Sequence, residues 1–376
     1  VQIDFSRYMN RIGTFDSQAQ TVEVEPGVVL DELNAFLAPA GLHFAPDVAT
    51  SSRATIGGMV ANNSCGAHSL VYGRTVDHLL ELTVVLSSGD TVTFDPRKSG
   101  SAATFAQELA GIRDAHFDEI QRRFPKVMRS NGGYGLDRLG PPGTNADPIK
   151  IICGSEGTLG VIAGAKLKLT PLPANVGLVV LHFRTLMESL ETTPLVLQHA
   201  PAAVELIDRL IIDAGLANHA IRKRCGFLEG VPEAILVVEF FADTQDELAN
   251  RIERLTFDSD IRRVSYAATT QLDSGAQSDV WNLRKSGLGL LMSRPGDAQP
   301  YSFIEDAAVD PARLAEFIKR VELILKDEGV HAGYYAHASV GLLHVKPVLN
   351  LSLAENVERM RRIADAVSSL TLEFGG

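Results

Sequence analysis

An α+β chain in two parts is predicted, on three observations. Strand-like and helix-like runs follow one another throughout, the Pro171-Leu172-Pro173 step interrupts them near the middle, and long strands beyond it alternate with amphipathic helices. Alternation of that kind favours a sheet with helices on one face. With 376 residues, 45% of them hydrophobic, the chain has ample apolar material for two cores.

In the first part, Thr21-Val22-Glu23-Val24 alternates as a strand does, and Val28 to Leu42 carries apolar residues at helical spacing after Pro26-Gly27. Leu79 to Leu86, then Gly89-Asp90 and Thr91-Val92-Thr93-Phe94, read as a hairpin. Ala103 to Arg123 predicts a helix leading into Asn131-Gly132-Gly133-Tyr134-Gly135, and Gly160 to Leu169 returns as strand. In the second part, Val176 to Phe183 and Ala234 to Phe241 are strands, with helices over Thr185 to His199, Thr244 to Leu255 and Pro311 to Glu328. The opening Val1-Gln2-Ile3-Asp4-Phe5 also alternates like a strand.

Charge and cysteine usage narrow the function classes. A formal charge of −11 disfavours nucleic acid or an anionic membrane surface as partner, since both reward basic patches. Cys65, Cys153 and Cys225 stand far apart with no C-x-x-C, which argues against a disulfide framework and against an iron–sulfur or zinc–cysteine site within the chain. A cytoplasmic, reducing setting is expected. No apolar run approaches the roughly 20 residues of a spanning helix, so any membrane contact is expected to be peripheral, through a partner.

Two glycine-rich stretches carry the strongest signal. Ala54-Thr55-Ile56-Gly57-Gly58-Met59-Val60-Ala61-Asn62-Asn63-Ser64-Cys65-Gly66 and Gly154-Ser155-Glu156-Gly157-Thr158-Leu159-Gly160-Val161-Ile162 are expected to leave bare backbone N–H groups that converge on a pyrophosphate. Neither is a G-x-G-x-x-G fingerprint or a P-loop, which argues against NAD and ATP. Read alone, each cluster also suits a tight turn. Their order decides: Pro46-Asp47, Ser51-Ser52, Thr55-Ile56-Gly57-Gly58, Asn62-Asn63, Gly66, Tyr72-Gly73, then Gly154 to Gly160, resembles the vanillyl-alcohol-oxidase or PCMH-type FAD-binding domain. Within that superfamily the chain looks like the D-2-hydroxyacid dehydrogenases, a group that includes glycolate oxidase flavin subunits and D-lactate and D-2-hydroxyglutarate dehydrogenases. Arg123-Phe124-Pro125-Lys126-Val127 and Phe303-Ile304-Glu305-Asp306 resemble the large members that join the flavin unit to a C-terminal iron–sulfur region.

The resemblance implies a PCMH-type domain over 1–171, incomplete at its start, and a cap and substrate domain over 172–376. A glycine-rich loop upstream of Val1 and a carboxylate ligand beyond Gly376 are features of the family, so the chain reads as a fragment that retains FAD weakly and is inactive alone. FAD contact is implied for Pro46, Ser51, Ser52, Thr55, Gly57, Gly58, Asn62, Gly66, Gly73, Gly157, Thr158, Gly160 and Val161. Tyr134, Leu136 and Asp137 resemble a segment lining the substrate side, and equally suit a structural loop.

The same resemblance assigns catalysis to Arg284, His337, His344 and Lys346. Arg284 would grip the substrate carboxylate with its planar fork. His337 and His344 match a pair that binds a divalent metal such as zinc or manganese; without the family they also read as core or surface histidines. Strand alternation in Leu342-Leu343-His344-Val345-Lys346 puts His344 and Lys346 on one face, where Lys346 could attract a carboxylate as a point charge. The intervening Ser339-Val340-Gly341-Leu342 departs from the usual Gly-Asp-Gly-Asn, and Lys346 stands where several relatives have asparagine. Glu305 and Asp306 read as solvated carboxylates or as partners of a basic side chain, and Trp281 as packing. The implied reaction oxidises a D-2-hydroxy acid to the 2-oxo acid, with electrons passed to an iron–sulfur region outside the chain or to another acceptor. A flavin oxidase using oxygen and a non-catalytic flavoprotein-like fragment remain the alternatives.

Overall fold

A computed structural model describes residues 3–96, 102–292 and 296–376. They form two compact units: residues up to Phe124 with Asn131–Leu172, and Pro125–Ser130 with Pro173–Gly376.

The first unit is built on a five-stranded antiparallel sheet of β1 (Ile12–Asp16), β2 (Thr21–Val24), β3 (Leu79–Val85), β4 (Thr91–Phe94) and β5 (Val161–Lys168), in the spatial order β1-β2-β5-β3-β4. Burial alternates along β4, with Val92 and Phe94 inside and both threonines outside, as a half-buried strand requires. Helix α1 (Leu30–Leu37) presents Leu30, Leu33 and Leu37 to this core. It is shorter than its apolar spacing predicts, passing into a 3-10 turn over Ala38–Ala40, because Pro39 lacks an amide proton to continue the ladder. The single helix expected over Ala103 to Arg123 is two, α3 (Ala102–Ala115) and α4 (Phe117–Arg123), separated by His116 outside helical geometry. Of the strand-like opening, Ile3–Phe5 is not extended into a strand, and Val1-Gln2 lies outside the described residues.

The second unit holds an eight-stranded antiparallel sheet. Its strands are β6 (Asn175–Phe183), β7 (Ala203–Asp208), β8 (Ala234–Ala242), β9 (Ala267–Gln271), β10 (Gln299–Pro300), β11 (Ile304–Ala308), β12 (Ala332–His337) and β13 (Leu342–Leu349), ordered β9-β6-β8-β7-β12-β13-β10 with β11 also on β13. This is the α+β architecture that the sequence predicts, with every strand pair of the second sheet antiparallel. Four helices, α5 (Leu186–Leu197), α7 (Gln245–Thr256), α9 (Leu314–Asp327) and α10 (Ala354–Glu373), contribute to the large core against Leu181, Leu206, Leu236 and Val238. Helix α5 begins at a reciprocal cap, in which Thr185 Oγ1 accepts from the Glu188 amide and the Glu188 carboxylate accepts from the Thr185 amide.

The other side of the sheet is not bare. Helices α6 (Arg209–Ala217) and α8 (Ser274–Met292) pack Ile211, Ile212, Val280 and Leu283 over Leu178, Val180, Ile207 and Val237. Toward β12 and β13 this face turns from apolar to charged, and that change of lining positions the candidate site. No helix among the described residues is long and apolar enough to cross a membrane.

Asp208 ends β7 and starts α6. Its carboxylate accepts from the amides of Ile211 (3.1 Å) and Tyr334 (2.6 Å), tying the helix to β12. Burial pushes this carboxyl up to about 7, so the folded protein holds a proton that the unfolded chain releases near pH 4. The stabilisation is therefore complete below the unfolded value and declines as pH rises toward 7. We expect the melting temperature of the wild type to fall relative to Asp208→Asn between pH 5 and 8; parallel profiles would refute the assignment.

Candidate functional site

In the first unit the two glycine-rich stretches lie side by side. The first forms helix α2 (Ile56–Asn62), capped by the Thr55 hydroxyl, and its carbonyls at Val60 and Ala61 accept from the amides of Gly154 (2.9 Å) and Glu156 (3.0 Å) of the second. The bare amides expected on the first stretch are not found at the predicted glycines. Gly57 N–H donates to Pro26 O, Ile56 N–H to Val28 O and Gly58 N–H to Thr55 Oγ1, because the start of the helix is stitched to the loop before α1.

The predicted contact residues separate by exposure. Ser52, Gly58, Asn62, Gly157 and Thr158 are exposed, Ser51, Thr55, Gly73, Gly160 and Val161 are half-buried, and Pro46, Gly57 and Gly66 are buried. Gly66 is a packing position: a Cβ there would stand 2.0 Å from Asp47 O. Asn63, beside the predicted Asn62, is structural. It sits in the left-handed conformation, accepts from the Val76 amide and pairs with Asn131. Tyr134 reaches Thr158, with its hydroxyl 2.9 Å from Thr158 Oγ1.

In the second unit Arg284, His337, His344 and Lys346 are gathered on one face by three elements. Register sets His337 of β12 opposite Glu205 of β7, and His344 of β13 between Tyr335 of β12 and Glu305 of β11. Arg284 enters from α8. The Glu205 carboxylate, fully buried, accepts from Arg284 Nε on Oε2 at 2.8 Å, with Nη2 in ion-pair contact at the same distance, and pairs with His337 Nδ1 through Oε1 at 2.6 Å. Arg284 also lies over the Tyr335 ring, 4.7 Å from its centroid, and that ring stacks on His344 at 4.5 Å.

This arrangement changes two expectations. The side-on edge of the Arg284 fork is already filled by Glu205, so only the end-on edge is left for a ligand carboxylate. Lys346 is no free point charge: it is 1% exposed and donates to Glu305 Oε2 and Ser302 Oγ, so the carboxylate it holds belongs to the protein.

Burial pushes His337 down to about 4 against the opposing pull of Glu205, so the imidazole is neutral near pH 7. Burial works against ionisation of Glu205, but His337 and Arg284 outweigh it and hold the carboxyl below its usual range. Glu305 follows the same logic: burial would raise it, and His344 and Lys346 beside it hold it far down.

A cation would find its best ligand set around His344. Its buried Nδ1 lies 2.9 Å from Glu305 Oε1 and 2.9 Å from Asp306 Oδ1, yet is aligned with neither for a hydrogen bond. Glu305, Asp306 and His344 are the group, among the described residues, whose donor atoms come close enough to share one ion. Two consecutive carboxylates reach one histidine because the ladder shifts register between Glu305 and Ala307, and Asp306 takes a positive φ of 65°. Strict alternation would send them to opposite faces. The rings of His337 and His344 are 5.1 Å apart, edge to face. Sequence reasoning missed Glu205, which lies in no motif, and Tyr335, which lies two residues before His337.

Residues 1–95 match the family of FAD binding domains, and residues 172–376 match the C-terminal domain of FAD linked oxidases. D-2-hydroxyglutarate dehydrogenase of Pantoea ananatis (strain AJ13355) is 32% identical over 400 residues, spanning 100% of this chain and 39% of that protein. Glycolate oxidase subunit GlcD of Bacillus subtilis (strain 168) is 25% identical over 381 residues, 98% of this chain and 68% of that one. Among solved structures, p-cresol methylhydroxylase with substrate bound aligns at a TM-score of 0.60 and 14% identity, over 97% of this chain and 68% of its own, a likeness of fold alone. The chain thus spans about two fifths of the D-2-hydroxyglutarate dehydrogenase it matches.

Proposed function

We propose that this chain, which belongs to the FAD-linked oxidases, is the flavin- and substrate-binding portion of a dehydrogenase that converts a D-2-hydroxy acid to its 2-oxo acid. The observation that carries this reading is the convergence of an arginine whose end-on edge meets no partner among the described residues, a neutral histidine and a histidine–dicarboxylate cluster on one face of the second unit. The relatives' printed substrates, 2-hydroxyglutarate and glycolate, share the hydroxy-carboxylate head that such a face suits.

Bound FAD would accept the hydride that leaves the α-carbon. On the protein side, the exposed Ser52, Gly58, Asn62, Gly157 and Thr158 would hold the nucleotide, while Pro46, Gly57 and Gly66 shape the loops beneath them. Arg284 would take the substrate carboxylate through Nη1 and Nη2 in two charge-assisted bonds. His337, with Nδ1 donating to Glu205, offers Nε2 as the acceptor of the hydroxyl proton. A divalent ion, held by His344 with Glu305 and Asp306, would make that hydroxyl more acidic. Electrons would pass on to an iron–sulfur region of the whole protein. A reducing, cytoplasmic setting suits three cysteines none of which is in a disulfide.

The test is anaerobic mixing of the full-length, flavin-loaded protein with D- and L-2-hydroxy acids, with and without a chelator. Bleaching of the flavin band by the D-acids alone is expected, slowed by chelation. Absence of bleaching with every D-acid would refute the function, and indifference to the chelator would remove the metal. Peroxide formation matching flavin reoxidation in air would instead favour an oxidase.

A further inference from the structure

Glu205 has no counterpart among the residues that the family resemblance picks out, yet it joins two of them. Its side chain is fully buried at the middle of the charged face, and each oxygen serves a different element: Oε2 the guanidinium on α8, Oε1 the imidazole on β12. Stability does not explain its presence, since a buried ion pair is often replaced by apolar residues without loss. What one carboxylate with both oxygens engaged does supply is a fixed angle between its partners. The Tyr335 ring lies against the same guanidinium, 4.7 Å from centroid to Cζ.

Resting on the reading of Arg284 and His337 above, we propose that Glu205 is a positioning residue for the oxidation. It turns Arg284 so that the end-on edge faces the substrate carboxylate, and it fixes His337 as the Nδ1–H tautomer, leaving Nε2 unprotonated. Carboxylate grip and proton acceptance are thereby locked in one geometry. A second tautomer of His337 would set Nδ1, unprotonated, against an ionised oxygen at 2.6 Å, which repels.

Glu205→Gln in the full-length, flavin-loaded protein tests this. The amide keeps the shape but replaces one accepting oxygen with an NH₂ group, which must face a donor from either Arg284 or His337. We expect KM for the D-2-hydroxy acid to rise, or the limiting rate of flavin reduction to fall, by about tenfold or more per bound flavin, the scale of truncating one partner of a buried charged hydrogen bond. A residue that only holds the fold would lower melting temperature and flavin content and leave both constants per flavin at wild-type values; that result overturns the proposal. If Glu205→Gln does not retain flavin, Arg284→Lys decides: it keeps a cation opposite Glu205 but has no second edge, so KM should rise about tenfold, and an unchanged KM overturns it. A wild type that reduces flavin with no D-2-hydroxy acid brings down the functional reading itself, and this proposal with it. An active wild type with an indifferent Glu205→Gln brings down this proposal alone.

Discussion

Arg284→Ala is expected to damage both chemistry and stability. With the guanidinium gone, Glu205 keeps a buried charge whose Oε2 has lost its hydrogen bond and its ion pair, a defect that costs about 3–5 kcal/mol when one member of a buried pair is removed. Substrate would lose its charge-assisted grip as well, which by itself corresponds to a fall of about 10²- to 10³-fold in kcat/KM. The two effects separate experimentally. Calorimetry of the flavin-loaded protein reads the first, and single-turnover flavin reduction, normalised to bound flavin, reads the second. Unaltered reduction kinetics would remove Arg284 from the site, whatever happened to the melting temperature.

Gly341→Ala is expected to be the most disruptive change between the two histidines. Gly341 turns the chain from β12 into β13 with φ +67°, and an added Cβ would lie 1.8 Å from Val309 O. The left-handed backbone alone costs a non-glycine residue about 1–2 kcal/mol. The overlap is with backbone, which cannot swing aside, and Val309 is itself tied to the turn because its amide donates to Gly341 O at 3.0 Å. Relief therefore requires moving the strand ends that carry His337 and His344, and loss of soluble, flavin-reducing protein should follow. Gly329→Ala is the control: it shares φ +67° but would meet nothing within 4 Å, so it should cost only the backbone term, about 1–2 kcal/mol. Equal melting temperatures for the two variants would refute the steric argument.

Local pattern carried the fold a long way. The alternating Thr91-Val92-Thr93-Phe94, the Thr185–Glu188 cap and the apolar spacing of Leu314 to Leu325 each specify an element from a few neighbouring residues, because burial and capping act over one or two turns. Helix ends were less legible: whether the segment from Val28 runs on to Leu42 or yields at Pro39 is settled by one missing amide proton. The candidate site was legible only where it follows order along the chain, as with Arg284, His337 and His344. Glu205 carries one local mark, a carboxylate set among Ala203, Val204, Leu206 and Ile207, but its meaning comes from partners 79 and 132 residues away.

By itself, then, the order of residues determined the class of fold, many of the segments that become strands and helices, and several of the side chains that gather at the candidate site. Tertiary structure alone decided how those side chains are used. It placed a carboxylate between Arg284 and His337, spent the charge of Lys346 on Glu305, and closed the amides of Gly57 and Gly58 onto neighbouring oxygens. Strand pairing and burial bring distant charges together, and a buried charge must be answered by whatever group the fold sets beside it.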